Sequence, residues 1–558
     1  MTRRVSRRTF IGGAAGAGFL AAGGASWATL VARDSDTDPA DPGLEPTLTQ
    51  TIEPTPSPTA VPPPRGGRQV IVSPSAFSID TFDAQLTGES SVVEILGRTH
   101  SRLVQWSDIE QPLIGADLAS SWETPDETTA IFRIDPNAKW HDKPPINGRP
   151  VTADDVVAHF QRSLEMAADG KAPLAQRYHT YSTIESADSP GDGLVRFRTK
   201  QPDPFLLDTL ASEFALIQAP EAVRDFAGSW PKADSDHVIG SGPWTFDWAD
   251  DGVKFTAFRQ GHRQPSLDEL HVSEPHEVAQ RFIDGELDET IIRDRRDAAL
   301  VRSKFAVASP APTEYLRYER EIVMSSFFVG SPPWNNTDLV NAISYALARS
   351  ELVEKLFGGR AWPVRHIPLA LWGTRAAETL DAWPGAIPGP DGDYSGARQL
   401  WEAAGGPGLG TVTIDFPSIF DPLYSASSIV IDQLNRVLGS QFRPAVETYT
   451  TISKRVLEGY YGNGRAAFWF GWGPAIATRQ PDRYFSELYA PGSSGQRAVG
   501  GPGTQLESGS ANELIRMGYL GIVPWVHQFA EVYRRPTQAG PEPSAFWNQH
   551  LDYLRATV

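Results

Sequence analysis

From residue 68 onward the sequence switches repeatedly between two-residue and 3.6-residue spacing of apolar side chains. RQVIVS at 68–73 is a β-branched run and predicts a first strand. SSVVEILGRTHSRLVQW at 90–106 carries Val93, Leu96, His100, Leu103 and Val104 at helical spacing and predicts a helix. Trp122 to Ile134 alternates around Pro125 and Asp126, which predicts two strands and a turn. In PVTADDVVAHFQRSLE at 150–165, Thr152 is an N-cap and Asp154 and Asp155 complement the positive helix start. Val156, Phe160 and Leu164 then form one packing stripe. LVRFRT at 194–199 predicts a strand, and 240–258 predicts a hairpin turning at Asp250, Asp251 and Gly252.

The second half repeats the mixture. Asn336, Thr337 and Asp338 start a helix with Val340, Ile343 and Leu347 on one face. Ser350 starts the next, with Val353, Leu356 and Phe357, and Gly358 and Gly359 end it. Ser395 is the expected cap of GARQLWEAAG, closed by Gly405 and Gly406. TVTIDF at 411–416 predicts a strand, SASSIVIDQLNRVLG at 425–439 a helix, and AAFWFGW at 466–472 a strand. In that last strand Phe468 and Phe470 share one face and Trp469 takes the other. Strands alternating with helices predict α/β lobes with largely parallel, buried sheets. No internal repeat of fixed period is visible.

Before residue 68 the pattern is of another kind. MTRRVSRRTFIGG opens a basic segment followed by a Gly/Ala-rich apolar run to about Val31. Ser6-Arg7-Arg8-Thr9-Phe10-Ile11 resembles a twin-arginine export signal; the alternative is a basic-flanked membrane anchor. Either way residues 1–33 read as targeting. Residues 34–67 are rich in Pro, Thr, Asp and Glu. Such a stretch buries too little surface to offset its ordering entropy, and its prolines favour extended geometry, so it reads as a stalk. A stalk is most useful if the first segment stays in the membrane, so the expected location is extracytoplasmic, either released or anchored.

Composition narrows the chemistry. The 558 residues exceed one ordinary domain, so two or three lobes are expected. A formal net charge of −18 argues against nucleic acid or an anionic membrane surface as main partner. With no cysteine, disulfides, thiolate catalysis and Cys-ligated metal centres are excluded. No HExxH, Gly-x-Ser-x-Gly, Walker loop or clustered dinucleotide glycines occur, so neither an enzyme nor a cofactor is expected. His271, Glu274, His276 and Glu277 fall in HVSEPHEV, but Pro275 breaks any helix that would align them, and a solvated loop is the better reading. His141-Asp142 reads as a turn before Pro144 and Pro145. The 16 Trp residues are mostly core, with some available to line a cleft.

Five stretches together resemble a known family. They are LASSWE at 118–123 with FRIDPNAKWHDKPPINGRPVTADDVVAHFQRSL after it; Gly240-Ser241-Gly242-Pro243-Trp244; Pro333-Trp334 with LVNAISYALARSELVEKLFGG; DYSGARQLWEAAG; and GWGPAIATRQPDRYFSELY. The chain from about residue 68 onward is similar to the large extracytoplasmic solute-binding proteins of ABC importers, family 5, which includes oligopeptide-, dipeptide- and nickel-binding members. The resemblance implies an α/β fold: a two-lobed periplasmic-binding-protein type II clamp with an extra subdomain. It implies lobe I from 68–112, 236–311 and 490–558, the extra subdomain from 113–235 and lobe II from 312–489, with chain crossings near 236, 312 and 490. It implies a small-molecule solute held between the lobes, an ABC permease as membrane partner, a monomer, and no catalytic or metal site.

The implied ligand residues are Trp472, Gly473, Pro474, Ala475 and Asp482 on one wall, with Trp244, Ser241, Phe82 and Trp334 near the hinge and opposite wall. Peptide-binding members of the family place an Asp just after the Trp-x-x of that strand, to pair with a peptide amine. Here Ala475 stands there, and a buried ammonium without a carboxylate is costly. Asp482 would have to substitute, or the solute is neutral and ring-bearing, such as an oligosaccharide. The alternative from another class is an anchored sensor or envelope scaffold built on the same fold. An enzyme reading would need a converging pair such as His141 with Asp482.

Overall fold

The computed structural model describes, with interruptions, residues 66–362, 393–472, 522–539 and 555–556. The targeting segment, the stalk to residue 65, Gly473 to Ala475, and Asp482 lie outside the described residues.

Among the described residues two large hydrophobic cores share one mixed sheet, with a smaller cluster around Phe282, Leu287, Val301 and Tyr533. The first half contributes β1 (Arg68–Val72), a short pair β2 (Val104–Trp106) and β3 (Ile114–Ala116), then β4 (Ala119–Asp126) and β5 (Thr129–Ile134). It continues with β6 (Ile184–Gly191), β7 (Leu194–Thr199), β8 (Trp244–Ala249), β9 (Gly252–Ala257), β10 (Glu269–Ser273) and β11 (Glu289–Ile292). Then come the long β12 (Thr313–Ser326), β13 (Ala361–Trp362), β14 (Val412–Pro417), β15 (Phe442–Glu447), β16 (Arg465–Ala467), β17 (Phe470–Trp472) and the long β18 (Ile522–Arg534). Among the described residues the main sheet runs β15-β14-β16-β12-β18-β11-β1-β10-β9-β8, with β13 on β18 and β17 on β12.

The first core gathers apolar residues from Ile71 to Val272 around the β1 end of the sheet. It also takes in a separate antiparallel sheet, β4-β5-β7-β6, covered by the helix Ala153–Ala168. Phe160 of that helix meets Phe197 edge-on at 4.9 Å and Tyr181 at 5.3 Å, a ring arrangement favoured beyond simple area burial. The helix begins as its residues dictate. Asp155 N–H donates to Thr152 Oγ1 at 3.3 Å, and Thr152 N–H donates to Asp155 Oδ2 at 2.9 Å, a reciprocal cap. The turn Ser235–His237 is flanked on both sides by members of this core, Trp230 and Val238.

The second core lies between the β14 end of the sheet and the helices Thr337–Ala346, Tyr394–Ala403 and Ala426–Leu438. Its interior includes Leu339, Ile343, Trp401, Ile414, Phe416 and Leu434.

Several expectations change against this fold. The helix of 90–106 stops at Thr99, where Gly240 and Gly242 press on its last carbonyls, and Val104–Trp106 is strand instead. Asp393, not Ser395, caps the helix Tyr394–Ala403, its Oδ1 accepting from Gly396 N–H at 2.9 Å. The sheet is mixed: β1-β10, β1-β11, β14-β15 and β14-β16 are parallel, while β8-β9, β9-β10, β11-β18 and β12-β18 are antiparallel. Hairpin turns and long return strands supply antiparallel neighbours that a strand–helix count does not reveal. The run 466–472 contributes two short strands, β16 and β17, and Phe468 and Trp469 between them lie outside the described residues.

Candidate functional site

The two lobes are joined by β12 and β18, and their pairing fixes which ends of the other strands meet. β12 leaves the first lobe and enters the second; β18 returns antiparallel, from Ser326↔Ile522 to Thr313↔Arg534. At the first-lobe end, Glu289–Ile292 pair with Arg534–Glu531, so the carboxyl end of β11 points along the ladder toward the second lobe. β1 is parallel to β11, and β10 to β1, so Val72 and Ser273 end on the same edge. At the other end Ser326 pairs with Ala467 and Glu321 with Trp472, so β16 and β17 run back toward the first lobe. β14 and β15 run parallel to β16 and end on that edge at Pro417 and Glu447. The carboxyl ends of both parallel sets therefore face each other along the ladder. In open α/β sheets that edge is where ligands bind.

The ladder itself is interrupted between these edges. Regular pairing ends at Tyr318↔Phe529 and resumes, shifted, at Ile322↔His527. Glu319, Arg320 and Glu321 fall in the shift, and Glu321 pairs sideways with Trp472. A bulge breaks ladder hydrogen bonds and bends the strand locally.

The first-lobe edge is held firmly. Glu274 N–H donates to Asp251 O at 2.8 Å, Phe77 N–H donates to Glu274 Oε1 at 3.3 Å, and Asp251 Oδ1 bonds His271 Nε2 at 2.8 Å. His271 and Glu274 thus serve the hairpin and the loop after β1, and among the described residues no group of His, Asp or Glu is arranged to hold a metal. Beyond β1 the loop through Phe82 to Gln85 is pinned to the helix Ala153–Ala168. Arg162 grips Asp83 with two bonds, 2.6 Å and 3.0 Å, and also bonds Gln85 Oε1. Gln85 Nε2 in turn donates to His159 O at 2.7 Å and Ser163 Oγ at 2.6 Å.

His141 ties the family-like stretches together, a role its sequence neighbours hide. It is wholly buried. Its N–H donates to Gly240 O at 2.8 Å, its Nδ1 accepts from Gly240 N–H at 3.2 Å, and its Nε2 then donates to Gly242 O at 3.0 Å. Burial pushes its pKa down to about 3, so the ring is neutral and locked in one tautomer. The turn expected at Pro144 and Pro145 follows it, and its ring nitrogens are both occupied. The glycines are needed because a Cβ on Gly240 would lie 1.8 Å from Thr99 O, and one on Gly242 2.8 Å from Arg98 O.

The expected ligand residues divide accordingly. Phe82 and Trp244 belong to the first core and Trp334 to the second, all almost fully buried. Trp334 Nε1 donates to Arg465 O at 2.9 Å. Their rings are packed within the two cores. Ser241 is buried in the turn just before Trp244. Trp472 closes β17 at the inter-lobe edge.

Sequence reading missed a polar cluster on the second lobe. Asp415, near the carboxyl end of β14, is fully buried and accepts from Arg455 Nη1 at 2.6 Å. Glu447 pairs with Arg455 Nη2 at 3.0 Å. The Arg455 guanidinium carbon lies 5.0 Å from the Tyr460 ring centroid, and that of Arg465 5.3 Å from the same ring. The one signal available was a charged residue at a position of TVTIDF flanked by core residues.

Comparisons with known proteins agree with this architecture. Residues 114–496 match the model of the bacterial extracellular solute-binding proteins, family 5. An ABC transporter peptide-binding protein of Brucella ovis is 28% identical over 323 residues, covering 54% of this chain and 54% of that protein. The chain thus spans about half the length of the curated relatives it first matches. A periplasmic binding protein of Helicobacter pylori, solved with a bound peptide, superposes with a TM-score of 0.70 at 17% identity, covering 88% of this chain and 98% of that one. The substrate-binding domain of a Bacillus anthracis oligopeptide transporter gives 0.71 at 18% identity, over 89% and 100%. The fold is thus the two-lobed α/β arrangement of periplasmic binding proteins, and the chain belongs to the bacterial extracellular solute-binding proteins of family 5.

Proposed function

We propose that the protein captures a peptide-like or other small solute between its lobes, outside the cytoplasm, and delivers it to an ABC import permease without changing it. The observation that carries this reading is the pair of facing carboxyl edges, joined by a ladder that is interrupted between them. Similarity to a relative and to neighbours named for peptides supports a peptide-like solute. In this reading Trp472, Gly473, Pro474, Ala475 and Asp482 form the second-lobe wall, while Phe82, Ser241, Trp244 and Trp334 hold the walls from behind. Export follows the twin-arginine route, and the stalk keeps a monomer close to its permease. Lobe I takes 68–112, 236–311 and 490–558, with 113–235 as its extra subdomain, and lobe II takes 312–489.

The test is titration of the purified chain with separate panels of short peptides, oligosaccharides and divalent metals, following Trp fluorescence and melting temperature. A captured solute at about 100 times its dissociation constant stabilises the folded state by roughly 2.7 kcal/mol. Peptides or sugars are expected to raise the melting temperature and shift Trp emission as the lobes close. If every panel leaves both signals unchanged, the reading fails for those solute classes.

A further inference from the structure

We propose that Trp248, at the carboxyl edge of the first lobe, stacks against a ring of the captured solute. This rests on the solute-capture reading above and adds the chemical class that the first lobe selects.

Register places the residue. Trp248 of β8 pairs with Val253 of β9, Val253 with Val272 of β10, and Val272 with Ile71 of β1. It therefore lies one rung from Val72 and Ser273, on the edge that faces the second lobe. Alternation along β8 puts Trp244, Phe246 and Trp248 on one face. Trp244 and Phe246 belong to the first core, and the row ends at Trp248, which is 40% exposed. Trp140, Trp230, Trp334 and Trp401, by contrast, are packed inside the cores. A lone exposed apolar residue needs no explanation, but this ring is held in place. Phe246 meets it edge-on at 5.0 Å, and Phe82 lies tilted to it at 6.4 Å. Phe82 belongs to the loop after β1, and its backbone is pinned. Gln218 Nε2 donates to Phe82 O at 2.8 Å, and Gln218 Oε1 accepts from Ala84 N–H at 2.9 Å. β8, the edge strand of the sheet, is fixed as well: Lys143 Nζ donates to Phe246 O at 3.3 Å, and Trp248 N–H donates to Asp247 Oδ1 at 2.9 Å. The register and the contact with Phe82 thus put the indole at the same edge by separate routes.

Shape and charge select the group. An indole presents a flat, uncharged face with a negative quadrupole, which favours an offset-stacked or edge-on ring over an equal area of aliphatic surface. Two neighbouring rings already restrain it, so a solute ring binds without first having to order it. A carboxylate gains nothing from that face. A cation is attracted to it, but a buried ammonium needs a carboxylate partner. Asp251, in the adjoining hairpin turn, is already engaged by His271 and Arg281. The solute ring would therefore lie against the first lobe, with the remainder of the solute toward the second.

The experiment offers three randomised tripeptide pools together, in equal amounts, to the purified full chain. One pool carries Phe, Tyr or Trp at a single position, the second Leu, Ile or Met there, and the third Lys or Arg. Retained peptides are released and counted by mass spectrometry. A ring pair predicts retention of the ring-bearing pool over the aliphatic one by roughly three- to ten-fold. Trp248→Leu, which keeps an apolar side chain against Phe82 and Phe246 but removes the flat face, is expected to bring that ratio close to one. Trp248→Phe, which keeps a ring, is expected to retain most of it. The melting temperatures of both variants without peptide should stay within a few degrees of the native value, because the replaced ring is half-exposed. Equal retention of ring-bearing and aliphatic peptides by the native chain, preference for the basic pool, or a native ratio in Trp248→Leu overturns the assignment while leaving solute capture intact. Retention of no pool overturns the peptide form of the capture reading, and the assignment with it.

Discussion

Lowering the pH from 6.5 to 4.5 should loosen this protein through two histidines before its carboxylates respond. His141 and His159 are both fully enclosed, and burial pushes each pKa down from 6.5 to about 3; for His159 the nearby Arg162 charge acts in the same direction. In the unfolded chain both titrate near 6.5. Between those values the unfolded state binds protons that the folded state refuses, so stability falls as pH falls. Above about 6.5 both states are neutral and nothing changes; below about 3 both are protonated and the loss is complete. Each histidine costs about 1.4 kcal/mol per pH unit inside the window, so the pair costs about 2.7 kcal/mol per unit. Asp155 and Glu221, whose pKa values lie below the ordinary carboxylate range, add their own loss only under about pH 4.5. Urea midpoints of the first-lobe transition, taken every half unit from pH 7 to 4.5, measure the slope. In His141→Gln the amide can accept from Gly240 N–H and donate to Gly242 O, so the fold is kept and the slope should halve. A flat native profile, or an undiminished slope in the variant, would refute the reasoning.

Three further outcomes are expected from single substitutions. Gly240→Ala drives a methyl into Thr99 O, 1.8 Å away in the native fold, and should cost about 3 kcal/mol or prevent folding, read from the melting temperature. Arg149→Met removes the cation that bonds both Asp155 and Glu221 and should cost about 2 kcal/mol at neutral pH, read from the melting temperature. Trp334→Phe drops the bond to Arg465 O and leaves a cavity where the second indole ring was buried, and should lower chemical-denaturation stability of the second lobe by about 3 kcal/mol.

What the sequence disclosed follows the range of each interaction. The Thr152–Asp155 cap and the hairpin at Asp250 to Gly252 depend on neighbours a few positions apart, and both were legible. Asp393 displaced Ser395 as a cap because the helix begins two residues earlier than the sequence pattern suggests. The buried state of Trp244, Trp334 and Phe82 was not legible, since an aromatic ring serves a core or a cleft equally well until the neighbouring strands are known. The locking role of His141 was not legible because its partners, Gly240 and Gly242, are remote in sequence. The β12-β18 ladder, which decides which edges meet, joins distant segments with no local trace of their pairing.

That ladder also explains why the site is built from two kinds of part. A clamp needs walls that keep their shape while the bodies carrying them move. On the first lobe the loop after β1 is fixed by Arg162, Gln85 and Gln218, and the turn at Gly240 by a histidine with both nitrogens engaged. These bonds are buried and satisfied, so they resist rearrangement. On the second lobe Asp415 and Glu447 do the same for Arg455. Between them lies a stretch where three consecutive charged residues, Glu319 to Glu321, interrupt the pairing of the two connecting strands. In the solute-capture reading, rigidity is placed where a ligand would be recognised, and the break in the ladder where closure would cost least.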